Sequence, residues 1–387
     1  MSFLSAKQLS FGDSPNLDAF GRLRISDPVE LINSQFQYDK LPTVWDEIVA
    51  GAASATHLPN ESSVRMDVTT ASGDRVFRAS REYARYQPGK SQLFLGTFVM
   101  GPEATNTIMR VGMFDARNGV FLQRSGSTVS VVVRSYVSGT AVDTAVAQAS
   151  WNIDPMDGTG PSTVTLDWTK AQILIIDLEY LGVGRVRFGF VVDGKIFYVH
   201  EFLHANNIST VYMTTANAPS AYEIVTTGVT SGATWLRQIC STIVSEGGFA
   251  TDVAFNRGVS LTGTGTSIST AGVMVLAIRP KATFNSILNR GQMQVISIEA
   301  IGSADGYWDA FYAPTFSGGS WTSVDAASIA EYSTNATVAG GVKVASGLFA
   351  ATTQSRSGNV RDIQGRAALT VGADGTTQYG LAVVCYS

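Results

Sequence analysis

Apolar and polar residues alternate with a period of two along much of the chain, most clearly in residues 172–202, QILIIDLEYLGVGRVRFGFVVDGKIFYVHEF. Over 172–180, Leu174, Ile176, Leu178 and Tyr180 fall on one side and Asp177 and Glu179 on the other, the mark of a half-buried strand. Glycines 182 and 184 return the chain into a second strand, 185–192. Asp193-Gly194 then predicts a two-residue hairpin, because both central residues of a type I′ turn need positive φ. So short a loop sets a register. Phe190 is expected opposite Phe197 and Phe188 opposite Val199 on one face, with Gly189 opposite Tyr198 and Arg187 opposite His200 on the other.

The same alternation predicts strands at 62–70, 74–86, 91–100, 108–115, 120–124 and 129–137, and again at 211–215, 222–227 and 236–245. Residues 29–48 read as a first strand followed by a loop around Pro42. A stretch rich in glycine and polar residues, 249–267, predicts a domain boundary. Beyond it, short strands at 273–279, 294–300, 309–313, 342–344 and 379–385 predict a second all-β domain, with at most a turn or two of helix at 324–332. Residues 1–26 mix turn formers with spaced apolar side chains (Phe11, Leu17, Phe20, Leu23, Ile25). They read as an extended arm that packs on its own body or on a neighbouring subunit.

Composition narrows the class. A 387-residue chain is long enough for two or three domains, and its 38 glycines suit many tight turns. A net charge of −4, with 15% of residues charged, argues against a nucleic-acid-binding surface, which needs a basic excess against phosphates. Cys240 and Cys385 sit in apolar contexts, could pair or stay free, and have no metal-knuckle spacing. The first residues lack the basic start and apolar run of a signal peptide, and no stretch has the length of a membrane span. The expectation is a protein made in a cytoplasm and soluble there.

Several short stretches occur together: DAFGRLRISD at 18–27, QPGKSQ at 87–92, the 151–161 loop ending in DGTGP and LGVGRVRF at 181–188. DGKI follows at 193–196, HEFLH at 200–204, SEGG at 245–248 and GSWTSVD at 319–325. Over nearly the whole chain this set resembles a family of structural proteins found in the virions of tailed bacteriophages. The resemblance implies an all-β chain with a concanavalin-like jelly-roll sandwich at 29–249, a smaller β-sandwich at 250–387 and an extended N-terminal arm at 1–28. It implies a virion component, assembled in the host cytoplasm: a surface fibre or tail appendage, or alternatively a head-decoration protein. The arm would then anchor on other virion proteins (capsid, portal or tail) through Phe11, Leu17, Phe20, Arg22, Leu23 and Arg24. A homo-oligomer is expected, a trimer favoured, with host surface glycans as a further contact. Nucleic acid, membrane insertion, cofactors and enzymatic activity are not expected.

Three constellations bear on chemistry. His200-Glu201-Phe202-Leu203-His204 matches H-E-x-x-H, but that motif binds zinc from one helical face, and here it continues a strand. Strand geometry sets His200 and His204 roughly 13 Å apart. Asp177 and Glu179 share one strand face, as the acids of jelly-roll glycanases do. Their flanking residues differ from the usual Glu-x-Asp-x-x-Glu, and Arg185 and Arg187 on the next strand predict a salt-bridged outer face instead. Residues 154–157 could offer oxygens to calcium, or serve as turns. The aromatics Tyr307, Trp308, Phe311, Tyr312 and Trp321 could stack on sugar rings, hold a subunit interface or fill a small core.

Overall fold

Runs of valine, isoleucine, phenylalanine and threonine broken by turn residues form strands in the computed structural model. It describes residues 16–19, 23–24, 27–248, 255–261, 265–349 and 368–387, together with the backbone of Arg356–Asn359. The chain divides into two units, the first made of Met1–Ser80 and Ala84–Ala250, the second of Arg81–Tyr83 and Thr251–Ser387. Among the described residues the only helical elements are the 3-10 turns Pro59–Glu61 and Gln148–Ser150, and no helix is long and apolar enough to cross a membrane.

The first unit contains β1 (Val29–Gln35), β2 (Trp45–Ala50), β3 (Ser54–Leu58), β4 (Ser63–Val68), β5 (Arg75–Ser80), β6 (Ser91–Met100), β7 (Thr107–Phe114) and β8 (Gly119–Ser125). It continues with β9 (Thr128–Ser135), β10 (Val142–Ala147), β11 (Gln172–Leu178), β12 (Val186–Val192), β13 (Lys195–Phe202), β14 (Ser220–Thr226) and β15 (Thr234–Glu246). One antiparallel sheet runs β13-β12-β11-β6-β15-β4-β3, with β1 also paired to β15; the other runs β10-β9-β8-β7-β14-β5-β2. Distant strands lie side by side, β6 between β11 and β15 and β7 beside β14, so the sheets form a jelly-roll sandwich. Its core interleaves Phe94, Phe98, Ile176 and Phe188 of the first sheet with Val111, Leu122, Val131 and Tyr222 of the second. Each such side chain contributes about 1.5–3 kcal/mol on burial.

The hairpin at 193–194 forms as expected, with φ of 50° at Asp193 and 74° at Gly194. Phe190 faces Phe197 and Gly189 faces Tyr198, but beyond them the register slips by one, so Phe188 faces His200 and Arg187 faces Glu201. Val199 is the extra residue of a β-bulge. Its carbonyl accepts hydrogen bonds from the Ile153 and Asp154 N–H groups at 3.1 and 3.0 Å, so the bulge offers a peptide oxygen to the 151–162 loop. The predicted strand at 211–215 does not form: Tyr212 donates its N–H to the Gly182 carbonyl and stacks on His204. The loop expected to close 29–48 contains the start of β2.

The second unit is built on a six-stranded antiparallel sheet in the order Thr322–Ser323, Ala330–Ser333, Val273–Pro280, Leu381–Tyr386, Gly306–Tyr312, Val342–Phe349. The two-stranded ribbon Ser297–Ala300 with Arg356–Asn359 supplies Ile298 and Ala300 against a core of Trp308, Tyr312, Phe349, Leu381 and Val383. No helix forms at 324–332, where Ala330–Ser333 is a strand. Cys240 and Cys385 are both free thiols.

Candidate functional site

Asp177 of β11 stands opposite Arg187 of β12, and neither has any exposed surface. Arg187 Nη2 donates to Asp177 Oδ2 at 2.5 Å, the Tyr198 hydroxyl donates to the same oxygen at 3.0 Å, and Arg24 adds a third contact. The other end of the Arg24 guanidinium reaches Glu246 Oε1 at 2.6 Å, while the Ser91 hydroxyl holds Glu246 Oε2 at 2.7 Å. Arg24 comes from the N-terminal segment, which folds back on itself: Leu17 bridges Leu23, and the Arg24 N–H donates to the Asn16 carbonyl at 2.9 Å. Backbone oxygens of this segment are gripped from below, Leu17 by Arg187 at 2.9 Å and Ala19 by Arg185 at 3.1 Å. Leu17, Asp18 and Ala19 are buried.

The predicted salt-bridged face therefore exists, but it is covered. Desolvated carboxylates need cations and donors, and the segment carrying Arg24 supplies them. Of the residues expected to anchor the arm, Arg24 spends its side chain on Asp177 and Glu246 of its own sandwich, and Leu17 is buried with its carbonyl held by Arg187. Leu23 is 46% exposed. Phe11, Phe20 and Arg22 lie outside the described residues. The two candidate catalytic acids part company. Asp177 has no surface from which to reach a sugar, and Glu179 lies past the end of β11, its carboxyl pushed up chiefly by burial. Glu246 and Tyr198, which complete the cluster, were not singled out as site residues, because Glu246 meets Arg24 across 222 positions.

The oxygen-rich loop is turn chemistry. Asp154 accepts the N–H groups of Met156 at 2.8 Å and Ser162 at 2.7 Å, and Asp157 accepts the Thr159 N–H at 2.9 Å. Gly160 is required by close approach: a Cβ there would sit 2.1 Å from Asp154 Oδ1. The loop also covers the edge of β13, where Asn152 exchanges hydrogen bonds with the Glu201 backbone at 2.9 and 3.0 Å. His200 Nδ1 accepts the Asn152 N–H at 3.1 Å, whereas His204 stacks on Tyr212 and donates from Nδ1 to the Gly184 carbonyl at 2.7 Å. The two histidines thus serve separate contacts. Among the described residues no three His, Cys, Asp or Glu side chains gather as metal ligands.

Burial lowers His200 to about 4 from its ordinary 6.5, and burial lowers His204 as well. The unfolded chain takes up these protons near pH 6.5 and the folded chain only at lower pH. The histidine contribution to stability is thus present above pH 6.5 and lost as pH falls toward 4, by at most about 1.4 kcal/mol per pH unit per proton. Glu246 runs the other way: burial first, then Asp177, raises it, so its contribution fades as pH rises through the folded value. Urea unfolding at pH 7 and pH 5 should show a smaller loss for His200→Gln than for the unmodified chain. Equal losses would remove His200 as the source.

In the second unit the aromatics separate. Trp308 and Tyr312 are 1% and 3% exposed and belong to the core, which corrects their reading as glycan or interface residues. Tyr307 is 41% exposed and stacks on Tyr386 at 4.6 Å. Trp321 is half-buried: the Arg279 guanidinium lies 3.6 Å above its ring, and Phe316 packs edge-on at 5.2 Å.

No family model matches the chain, and no curated protein matches it in sequence. Among solved structures it is similar to a Shewanella oneidensis protein of unknown function, with a TM-score of 0.39 and 9% identity over 61% of this chain and 93% of that one. It is similar to a legume lectin-like domain from Entamoeba histolytica, with a TM-score of 0.32 and 10% identity over 56% of this chain and 97% of that one. It is also similar to a glycoside hydrolase family protein from Mycobacterium thermorestibile, with a TM-score of 0.39 and 9% identity over 55% of this chain and 99% of that one. By the order and pairing of its own strands, the first unit is a jelly-roll sandwich.

Proposed function

We propose that the chain is a structural surface component of a tailed-bacteriophage virion: a non-enzymatic fibre or tail-appendage protein that works as a homo-oligomer, a trimer favoured, and touches host surface glycans. The observation that carries this reading is the seating of the N-terminal segment. Asp177 and Glu246 are used as buried counter-ions for Arg24, so the carboxylate that a glycanase would need is spent on holding that segment to the sandwich. Residue 16 is thereby fixed to the body, a firm root for an anchoring arm. The resemblance of the short motifs to those of tailed-phage virion proteins supports the same reading. Weak sugar contacts repeated over several copies would give avidity.

The test is quantitative mass spectrometry of purified particles of the phage encoding this chain, together with light scattering of the purified full-length protein. The protein is expected in the particles at a few dozen copies or fewer and as an oligomer in solution. Hundreds of copies would assign it to head decoration instead. Its absence from purified particles would overturn the virion reading.

A further inference from the structure

In the second unit a cleft of about 350 Å³ opens beside the strand pair Thr322–Ser323 and Ala330–Ser333. Hydroxyls of Ser260, Ser320, Thr322 and Ser333, the Asn335 amide and the half-buried Tyr332 line it, and none of its lining residues carries a charge. Backbone geometry builds one wall. Gly318 and Gly319 take φ of 61° and 75°, and a Cβ on Gly319 would sit 2.6 Å from Ala336 Cα. Only glycine lets this turn lie so close to Ala336. The approach delivers the Ser320 N–H to Asn335 Oδ1 at 2.8 Å, and the Ser333 hydroxyl donates to the same oxygen at 3.1 Å. A backbone N–H can only donate, so the amide orientation is settled. The Asn335 NH₂ has no partner among the described residues and keeps two donors for a ligand.

We propose that this cleft is a glycan-binding site that takes a neutral pyranose ring. The Ser260, Ser320 and Thr322 hydroxyls, which both donate and accept, an amide with two spare donors and an aromatic ring match the hydroxyl rim and C–H face of a sugar, while Ser333 holds the Asn335 oxygen in place. The volume lies at the small end of ligand sites, which suits one or two rings. Sialylated, sulfated or uronic sugars would find no counter-charge here. The nearby Arg279 is occupied by the Trp321 ring and by Glu331 at 2.7 Å, and Arg257 is paired with Asp325 at 2.5 Å. The proposal rests on the reading that the chain contacts host glycans, and it names their class and seat.

The experiment is a glycan array probed with the full-length chain, carrying neutral hexose and N-acetylhexosamine oligosaccharides beside sialylated and uronic ones, followed by calorimetric titration of the hits. Neutral glycans are expected to bind. Asn335→Asp keeps the oxygen that holds Ser320 and Ser333 but removes the NH₂ donors and adds a charge. It is expected to weaken binding at least tenfold with an unchanged melting temperature, and Tyr332→Ala to weaken it as well. Unchanged affinity in both variants, capture of acidic glycans alone, or no capture at all would overturn the site. Each of these outcomes is independent of whether the protein is found in purified particles.

Discussion

Asp177→Asn is expected to destabilise the first sandwich by about 3–5 kcal/mol, the usual consequence of removing one member of a buried ion pair. The change is nearly isosteric, so packing is kept and the loss is electrostatic. Arg187, with no exposed surface, and Arg24 would both face a neutral amide where a carboxylate oxygen now takes three donors. For a unit of this size each kcal/mol moves the melting temperature by about 2–4 °C, so a fall of roughly 6–20 °C is expected by scanning calorimetry. Asp177→Leu combined with Arg187→Met should recover part of it, because the fully buried pair is removed together while Arg24 keeps Glu246 as its counter-ion. Arg24→Ala should act more locally. Hydrogen exchange in residues 16–19 would rise well before the strands of the sandwich lose protection. A loss below about 1 kcal/mol for Asp177→Asn would mean that the cluster does not lock the segment.

How much of this cluster could be read beforehand follows from what alternation encodes. Period two in 172–180 correctly sets Asp177 on the face away from Leu174 and Ile176, and the neighbouring Arg187 makes a cross-strand pair legible. A polar outer face, however, reads the same whether water or another segment covers it. The cover is a segment 153 positions away from Asp177, so its arrival is a tertiary fact with no local signature. The Val199 bulge is of the same kind, since it answers N–H groups of the 151–162 loop. Strand β2 was obscured by Asp46 and Glu47, which look like loop residues until Glu47 is seen paired with the buried Arg78. In the proposed cleft, Tyr332, Ser333 and Asn335 sit in EYSTNAT, which has only the composition of a turn.

The aromatics of the second unit were legible in principle, and Trp308→Ala tests that. In Gly306–Tyr312 the alternation puts Trp308, Ala310 and Tyr312 on one face and Tyr307, Asp309 and Phe311 on the other; the whole first set is buried, and of the second only Asp309, which accepts from Lys343 at 2.8 Å. Trp308 lies opposite Gly347, where a Cβ would come within 2.6 Å of the indole, so the strand pair is shaped around that ring. Removing it should destabilise the unit by about 3–5 kcal/mol, from lost transfer energy plus a residual cavity. Tyr307→Ala, at an exposed position, should change stability by less than about 1 kcal/mol. Trp308→Phe should fall between them. It gives up volume, but it also removes a buried Nε1–H that has no acceptor among the described residues. Hydrogen exchange of Leu381–Tyr386, the strand beside Trp308, is the readout, because it reports this unit and not the other. If Tyr307→Ala proved as damaging as Trp308→Ala, the exposed ring would be part of the fold. The assignment of core and surface along that strand would then be inverted.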